Sequence, residues 1–394
     1  MSNTLTLTEE ILQYCQTERQ KELCMAVIKE GSGNAGARAI GMDLGQASKM
    51  LSSIRGRAAR AGYSPEHDMT RTVPEGFHVR GTSTLYDAEG NAKLQWVKSS
   101  IDHERQREIM QQAIEALGAD LPRLPPTSGP EYARSDLMAV YPLGDPHIGM
   151  LSWAQETGVD WDLAIAEKAF RGVFDRLVKT APHCEQAVIV NLGDYFHYDN
   201  MEGTTSRSKH SLDTDGRYAK MVQVGVRILR QMIHSALEHH KSVRVINATG
   251  NHDDTGSLFL SVCLANIYEN EPRVTIDQAP APFHYVQHGK TMFGVHHGHT
   301  CKPGQLPGVM AADQPVMWGD TVHRYWYTGH IHHETKKEFP GVVQESFRTI
   351  AGRDAYAAWG GYRAGQDSKC IVLHNLHGEV ERHTVNITQL AGDF

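Results

Sequence analysis

The chain has little of what would mark it as a membrane-spanning, secreted or repetitive protein. No apolar run approaches the roughly 20 residues needed to cross a bilayer. The six cysteines (Cys15, Cys24, Cys184, Cys263, Cys301 and Cys370) are scattered without a CxxC pair, so neither a disulfide frame nor a zinc ribbon is expected. They read as free, mostly buried thiols. The opening MSNTLTLTEE lacks the basic segment and apolar core of a secretory signal, and a cytoplasmic location without membrane association is expected. No internal repeat or long low-complexity segment is visible. An excess of positive charge is missing as well. Residues 1–135 hold 16 Lys+Arg against 17 Asp+Glu, so most of the net −7 falls on the remainder. Bulk charge therefore gives no support to a nucleic-acid partner. Two bound divalent cations would reverse the sign locally, so net charge does not settle the substrate.

What is present is an ordinary globular composition with one unusual count. At 394 residues the chain has room for two domains, and 40% hydrophobic with 22% charged residues suits a soluble fold with an extensive core. Histidine is the outlier at 23 residues, many of them gathered between His284 and His333.

The first third reads as a separate module, residues 1–118. Thr6 and Glu9 suit a capping box opening an amphipathic helix through Ile11, Leu12, Cys15, Leu23, Val27 and Ile28, which GSGNAG breaks. A short helix around Ala37–Ile40 comes next, then the turn GMDLG. A helix from about Gln46 to Arg60 succeeds it, with Lys49, Arg55, Arg57 and Arg60 off its apolar face. The alternating FHVRGTSTLY, the turn DAEGNAK and the return strand LQWV make a hairpin. Helix, turn, basic helix and hairpin suggest a winged helix-turn-helix that contacts nucleic acid; a small helical bundle with solvated arginines is the alternative. A further helix is expected over 101–117. Residues 119–136 read as a Pro/Gly/Ser-rich linker. From 137 to 394, apolar strands alternate with helices at Trp161–Ala181, Asp215–His240 and Leu258–Asn270 before the pattern turns to hairpins. That order argues for an α/β sandwich of two sheets flanked by helices.

Five motifs lie in order between Leu143 and His332: LGDPHIG, LGDYFH, GNHDD, HHGH and GHIHH, each beginning where an apolar run ends. Carboxylate, amide and imidazole donors at successive strand ends suit a centre for two hard or borderline cations, Mn²⁺, Mg²⁺, Fe²⁺ or Zn²⁺. Two such ions about 3.5–4 Å apart need a bridging ligand with two oxygens, and Asp194 is the best placed. Asp145, His147 and a distant histidine complete one set; Asn251 and two more histidines complete the other. A hydroxide between the ions would attack phosphorus in line. His252, beside Asn251, suits the acid for the leaving oxygen, with Asp253 orienting its ring.

This set resembles the calcineurin-like metallophosphoesterase superfamily over about residues 137–390. DPHIG and GDYFH are most similar to the exonucleases of DNA double-strand-break repair. The resemblance implies a four-layer αββα sandwich and a di-metal, often dimanganese, centre. One ion would lie on Asp145, His147, Asp194 and His332, the other on Asp194, Asn251, His297 and His330, with His252 as the catalytic histidine. His296 rivals His297, which the family pattern favours because its ligand directly precedes glycine. His197 would help to position the scissile phosphate and favour a nuclease over small-molecule members. Arg207 and Lys209 are possible phosphate partners. The edge of Arg353, Tyr356, Trp359 and Arg363 suits either base stacking or a structural loop.

The expectation is thus a two-metal phosphodiesterase hydrolysing nucleic acid, DNA ahead of RNA, with a homodimer possible because related nucleases form one. The alternatives are a cyclic-nucleotide or nucleotide phosphodiesterase, a phosphoprotein phosphatase, or a non-catalytic DNA-binding accessory protein.

Overall fold

The computed structural model describes residues 7, 9–60, 77–86, 92–101, 124–200, 203–205 and 212–390, and the chain divides into two compact units, Met1–Met110 and Gln111–Phe394. Thr6, the hairpin tip at 87–91, residues 102–117 of the expected helix, Arg207 and Lys209 lie outside the described residues.

The first unit holds helices α1 (Glu18–Glu30), α2 (Gly33–Ala39) and α3 (Leu44–Arg60), then the antiparallel strands β1 (Phe77–Tyr86) and β2 (Ala92–Ile101). The first expected helix is in fact two pieces. A 3₁₀ turn covers Glu9–Tyr14, and α1 starts only after Thr17, whose side chain accepts from the Gln20 amide at 3.2 Å. Thr17 caps α1 because TERQ puts a threonine before a good helix-forming run. Gly31, left-handed at φ 68°, ends α1 as GSGNAG implied. Leu23, Cys24, Val27, Ala47, Leu51, Ile54 and Ala58 close a small core. Arg57 does not serve as a free basic group on α3. Its guanidinium bonds the Tyr14 carbonyl, Ser53 and Gln20, so it helps to hold this unit together.

The second unit is layered. Its six-stranded sheet runs in the order β13-β12-β3-β4-β5-β6: β3 (Arg134–Leu143), β4 (Cys184–Asn191), β5 (Ser242–Asn247), β6 (Val274–Ile276), β12 (Asp367–His374) and β13 (Gly378–Asn386). Strands β3 to β6 are mutually parallel, and β12 and β13 close the edge antiparallel. The second sheet runs β10-β11-β9-β8-β7: β7 (His284–His288), β8 (Thr291–Val295), β9 (His323–Thr328), β10 (Thr335–Phe339) and β11 (Val342–Ser346), with β8, β9 and β11 parallel. Helices α4 (Ala154–Thr157), α5 (Leu163–Thr180), α6 (Tyr218–His239) and α7 (Gly256–Ile267) come after strands of the first sheet. Helices α8 (Leu306–Asp313) and α9 (Pro315–Asp320) precede β9, and α10 (Ala355–Trp359) comes after β11.

Period-two side-chain alternation explains the layers. On β3, Leu137, Ala139, Tyr141 and Leu143 pack with Phe170, Phe174, Ile228 and Met232 of α5 and α6. The intervening Met138 and Val140 meet Val286, Phe293, Val295 and Tyr327 of the other sheet. Beyond that sheet, Met292 and Trp326 pack under Leu306 and Met310 of α8. Helix, sheet, sheet and helix succeed one another in four layers, as the motif resemblance implies. Among the described residues no helix is long and apolar enough to cross a membrane.

Candidate metal centre

The parallel strands of both sheets deliver their carboxyl ends to one place. Asp145 and His147 lie just past β3, Asp194 and His197 past β4, and Asn251, His252 and Asp253 past β5. From the second sheet, His297 lies past β8 while His330 and His332 lie past β9. Backbone pairing continues past the strand ends and registers these loops against one another. Leu192 donates to the Leu143 carbonyl at 3.0 Å, His147 to that of Asp194 at 2.9 Å, and Gly329 to that of His297 at 2.9 Å.

The side chains gather in three groups, two of which share His147: Asp145 with His147 and His332; Asp194 with His297 and His330; and His147 with His197 and His252. Within each, the ligand-type atoms all lie within 4.8 Å of one another. The Asn251 Oδ1 lies 3.1 Å from His297 Nε2, which is also 3.1 Å from Asp194 Oδ2. Asp145, His147, Asp194 and His297 form a buried floor; His332 is half-buried and His330 exposed, which opens the centre to solvent on one side. His296 turns aside, stacked on Phe283 at 4.7 Å and bonded to Thr300, so the geometry puts His297 in the cluster.

The backbone is strained at this place. All five non-glycine residues with positive φ among the described ones are ligand-type: Asp145 (40°), His147 (43°), Asp194 (50°), His330 (71°) and His332 (54°). Two glycines are sterically required. A Cβ on Gly250 would fall onto the carboxylate and amide of Asp194, and one on Gly193 would stand 2.6 Å from His297 Nδ1.

The electrostatics fit a divalent-cation centre. Asp145 and Asp194 are buried, yet among the described residues neither has a lysine or arginine in ion-pair range; the basic side chains beside them are histidines. Leaving two buried carboxylates so placed is costly without a cation. Imidazole nitrogens also face one another, His147 Nε2 to His332 Nε2 at 3.1 Å and His147 Nδ1 to His197 Nδ1 at 3.2 Å. Burial pushes Asp145 up, against the pull of His332 and His297. Burial works the same way on Asp194, but the charge and hydrogen bond of His297 win and hold it well below the ordinary carboxylate range. For His297 burial lowers the pKa, and Asp194 and Asp145 outweigh it and hold it up at about 9. His147 is lowered well below its usual value, and His197 to about 3, first by burial and then by His252.

One expected contact is not made in the structure. Asp253 does not serve its carboxylate to the His252 ring. Its two oxygens accept from the Phe196 amide at 3.0 Å and the Gly250 amide at 3.3 Å, tying the second and third motif loops together, while His252 Nδ1 is bonded to the His197 carbonyl at 2.8 Å. The buried amides compete for that carboxylate, and the ring is already served by a carbonyl. His197, expected to meet the scissile phosphate, is 1% exposed, with Nδ1 3.2 Å from His147 Nδ1 and a buried Nε2 that has no hydrogen-bond partner among the described residues. Sequence reading missed Thr349, whose hydroxyl donates to the Asp145 carbonyl at 2.8 Å. No motif marks it, because the contact arises from a parallel bridge between Gly144 and Thr349.

No protein-family model matches the chain, and no curated protein matches it in sequence. Among solved structures it is similar to wild-type Vps29 of Entamoeba histolytica complexed with Zn²⁺, at 14% identity over 64% of this chain and 99% of that one, with a TM-score of 0.28. A predicted phosphoesterase of Streptococcus pneumoniae matches at 11% identity over 64% and 98%, TM-score 0.26. A dimetal phosphatase of Danio rerio matches at 7% identity over 64% and 99%, TM-score 0.34.

Proposed function

We propose that the chain is a two-metal phosphodiesterase acting on nucleic acid, DNA ahead of RNA. The observation that carries the metal-dependent part is the pair of clusters, Asp145–His147–His332 and Asp194–His297–His330, built on buried carboxylates with no neighbouring lysine or arginine among the described residues. Asp145, His147, Asp194 and His332 would hold one divalent ion, and Asp194, Asn251, His297 and His330 the other. When bound, the ions would supply an acidified water and neutralise phosphate oxygens. Manganese is the proposed occupant, with Mg²⁺, Fe²⁺ and Zn²⁺ open to the same donors.

The protein's own part is positional. The Asp194 carboxylate is aimed by the His252 amide at 2.8 Å, and that of Asp145 by the His330 amide at 2.8 and 3.0 Å. The His197 carbonyl accepts from His252 Nδ1, which fixes the tautomer and the direction of the ring, and His252 is the proposed acid for the leaving oxygen.

Support for a polymer substrate comes from an exposed aromatic segment. The segment that runs on from Thr349 leads to α10, and Ser152 ties it to the loop after His147 through the Arg353 carbonyl at 2.7 Å. This segment exposes Tyr356, Trp359 and Tyr362 at 75%, 82% and 56%, beside Arg353 and Arg363. Flat, exposed aromatic rings suit unpaired bases. The deciding experiment offers purified protein with Mn²⁺ single- and double-stranded DNA, RNA and a panel of cyclic nucleotides. Cleavage of DNA is expected; rapid turnover of one small molecule with DNA untouched would favour the nucleotide-phosphodiesterase reading instead.

A further inference from the structure

Outside the ligand clusters, one group of charges is buried and tied to the ligand loops. Lys369, on β12, is almost enclosed, with its side chain 5% exposed. Its ammonium bonds Asp367 Oδ1 at 2.6 Å and Glu334 Oε2 at 2.9 Å. Asp367, equally enclosed, takes Arg348 Nη1 at 2.6 Å on its other oxygen, and Arg348 Nε stands 3.7 Å from Glu334. Two cations and two carboxylates thus close a ring.

The ring joins three segments. Glu334 lies two residues after His332, on the loop that carries two ligands. Arg348 is bonded by the chain to Thr349, which holds the Asp145 carbonyl. Asp367 and Lys369 belong to β12, whose later residues pair with β3, the strand that delivers Asp145 and His147. Two ligands of one set, Asp145 and His332, therefore rest on this ring. The other set rests on it through His330 alone, which shares the Glu334 loop and gives its amide to the Asp145 carboxylate; Asp194, Asn251 and His297 come from β4, β5 and β8.

We infer that Lys369 and Glu334 are positioning residues for one of the two metal sites, the one formed by Asp145, His147 and His332, and leave the other site largely untouched. The inference rests on the two-metal reading. Outer partners hydrogen-bonded to ligands are worth about 10–100-fold in metal affinity, and the same scale is expected for groups that hold the loop of a ligand. Selectivity for one site is what a merely structural ion pair would not produce.

The test is calorimetric titration of Mn²⁺ into the chelator-stripped, full-length wild type and the Lys369→Met, Glu334→Gln and Lys369→Arg proteins, with circular dichroism to check folding. The wild type should bind two ions. Lys369→Met and Glu334→Gln should each bind one ion as the wild type does and the other about 10–100-fold more weakly, and Lys369→Arg should recover most of the loss. Glu334, a third exposed, keeps the test valid should the buried Lys369→Met fail to fold. Two unchanged affinities in folded Glu334→Gln, or equal weakening of both sites, would overturn the inference with the two-metal reading intact. A wild type that binds no ion would overturn both.

Discussion

Replacing Asp253 separates two accounts of that residue. Its carboxylate is fully buried and receives two backbone amides, Phe196 and Gly250, from two different ligand loops. Asp253→Ala leaves both N–H groups without an acceptor, and each orphaned buried donor costs about 1–3 kcal/mol. The loss of stability is therefore about 2–6 kcal/mol. For a unit of this size, roughly 2–4 °C per kcal/mol gives a fall in Tm of about 4–24 °C. Asp253→Asn keeps the shape and one acceptor oxygen, so its loss should be near half of that. The assay is thermal unfolding with chelator present, so that metal binding does not enter, and then metal titration of both variants. Because Asp194 and Asn251 sit on the loops that Asp253 joins, metal affinity should fall with stability. A destabilisation below about 1 kcal/mol for Asp253→Ala would refute the two-amide argument. Unchanged metal affinity with a displaced pH–rate profile would restore Asp253 as the orienter of His252.

Asp194→Ala should abolish metal-dependent phosphodiester hydrolysis and lose bound metal by elemental analysis; persistent cleavage removes the bridging role. His252→Ala should keep both ions and lose about 10²–10⁴-fold in kcat, so metal loss in this variant would instead make His252 a ligand. Trp359→Ala should weaken binding of single-stranded oligonucleotide by about 1–3 kcal/mol, read by fluorescence anisotropy, and leave hydrolysis of a small phosphodiester as it was. His240, buried and bonded to the Tyr141 hydroxyl at 2.8 Å, is lowered to about 3 chiefly by burial. The unfolded chain takes up its proton as pH falls through about 6.5, so stability present above that pH is lost progressively down to about 3. By about pH 5 the loss due to this residue is about 2 kcal/mol. Denaturant unfolding of His240→Gln at about pH 7 and pH 5 should show that much less acid sensitivity than the wild type; equal sensitivity refutes it.

The floor of the site was legible because it is local. Each motif ends a hydrophobic run, and a parallel strand delivers the residues next in sequence to the carboxyl edge, so Asp145, His147, Asp194 and His297 could be placed from order alone. The three long helices of the second unit were legible for the same reason, through apolar periodicity. The hidden part depends on contacts between segments far apart in the chain. Asp253 next to His252 suggested a pair, and only the fold shows two buried amides claiming the carboxylate first. His197 read as a phosphate contact, and its burial against His147 comes from the packing of two loops. The Lys369–Glu334 pair spans 35 residues and belongs to no motif.

The strain at the ligands points to the same dependence on distant contacts. Left-handed backbone costs a non-glycine residue roughly 1–2 kcal/mol, so Asp145, His147, Asp194, His330 and His332 together hold about 5–10 kcal/mol. Glycine would relieve it and remove the donor, so these positions must keep both the side chain and the strain. Something has to hold them there: the amides given to the Asp145 and Asp194 carboxylates, the Thr349 hydroxyl and the continued strand pairing all act at these residues. An ion binding the converged donors would then stabilise a conformation the fold has already imposed. Chelation should therefore lower stability without unfolding the loops, and hydrogen exchange should show the Phe196 and Gly250 amides still protected in the metal-free protein. Rapid exchange of both would mean that the ions, rather than the fold, impose the strained geometry.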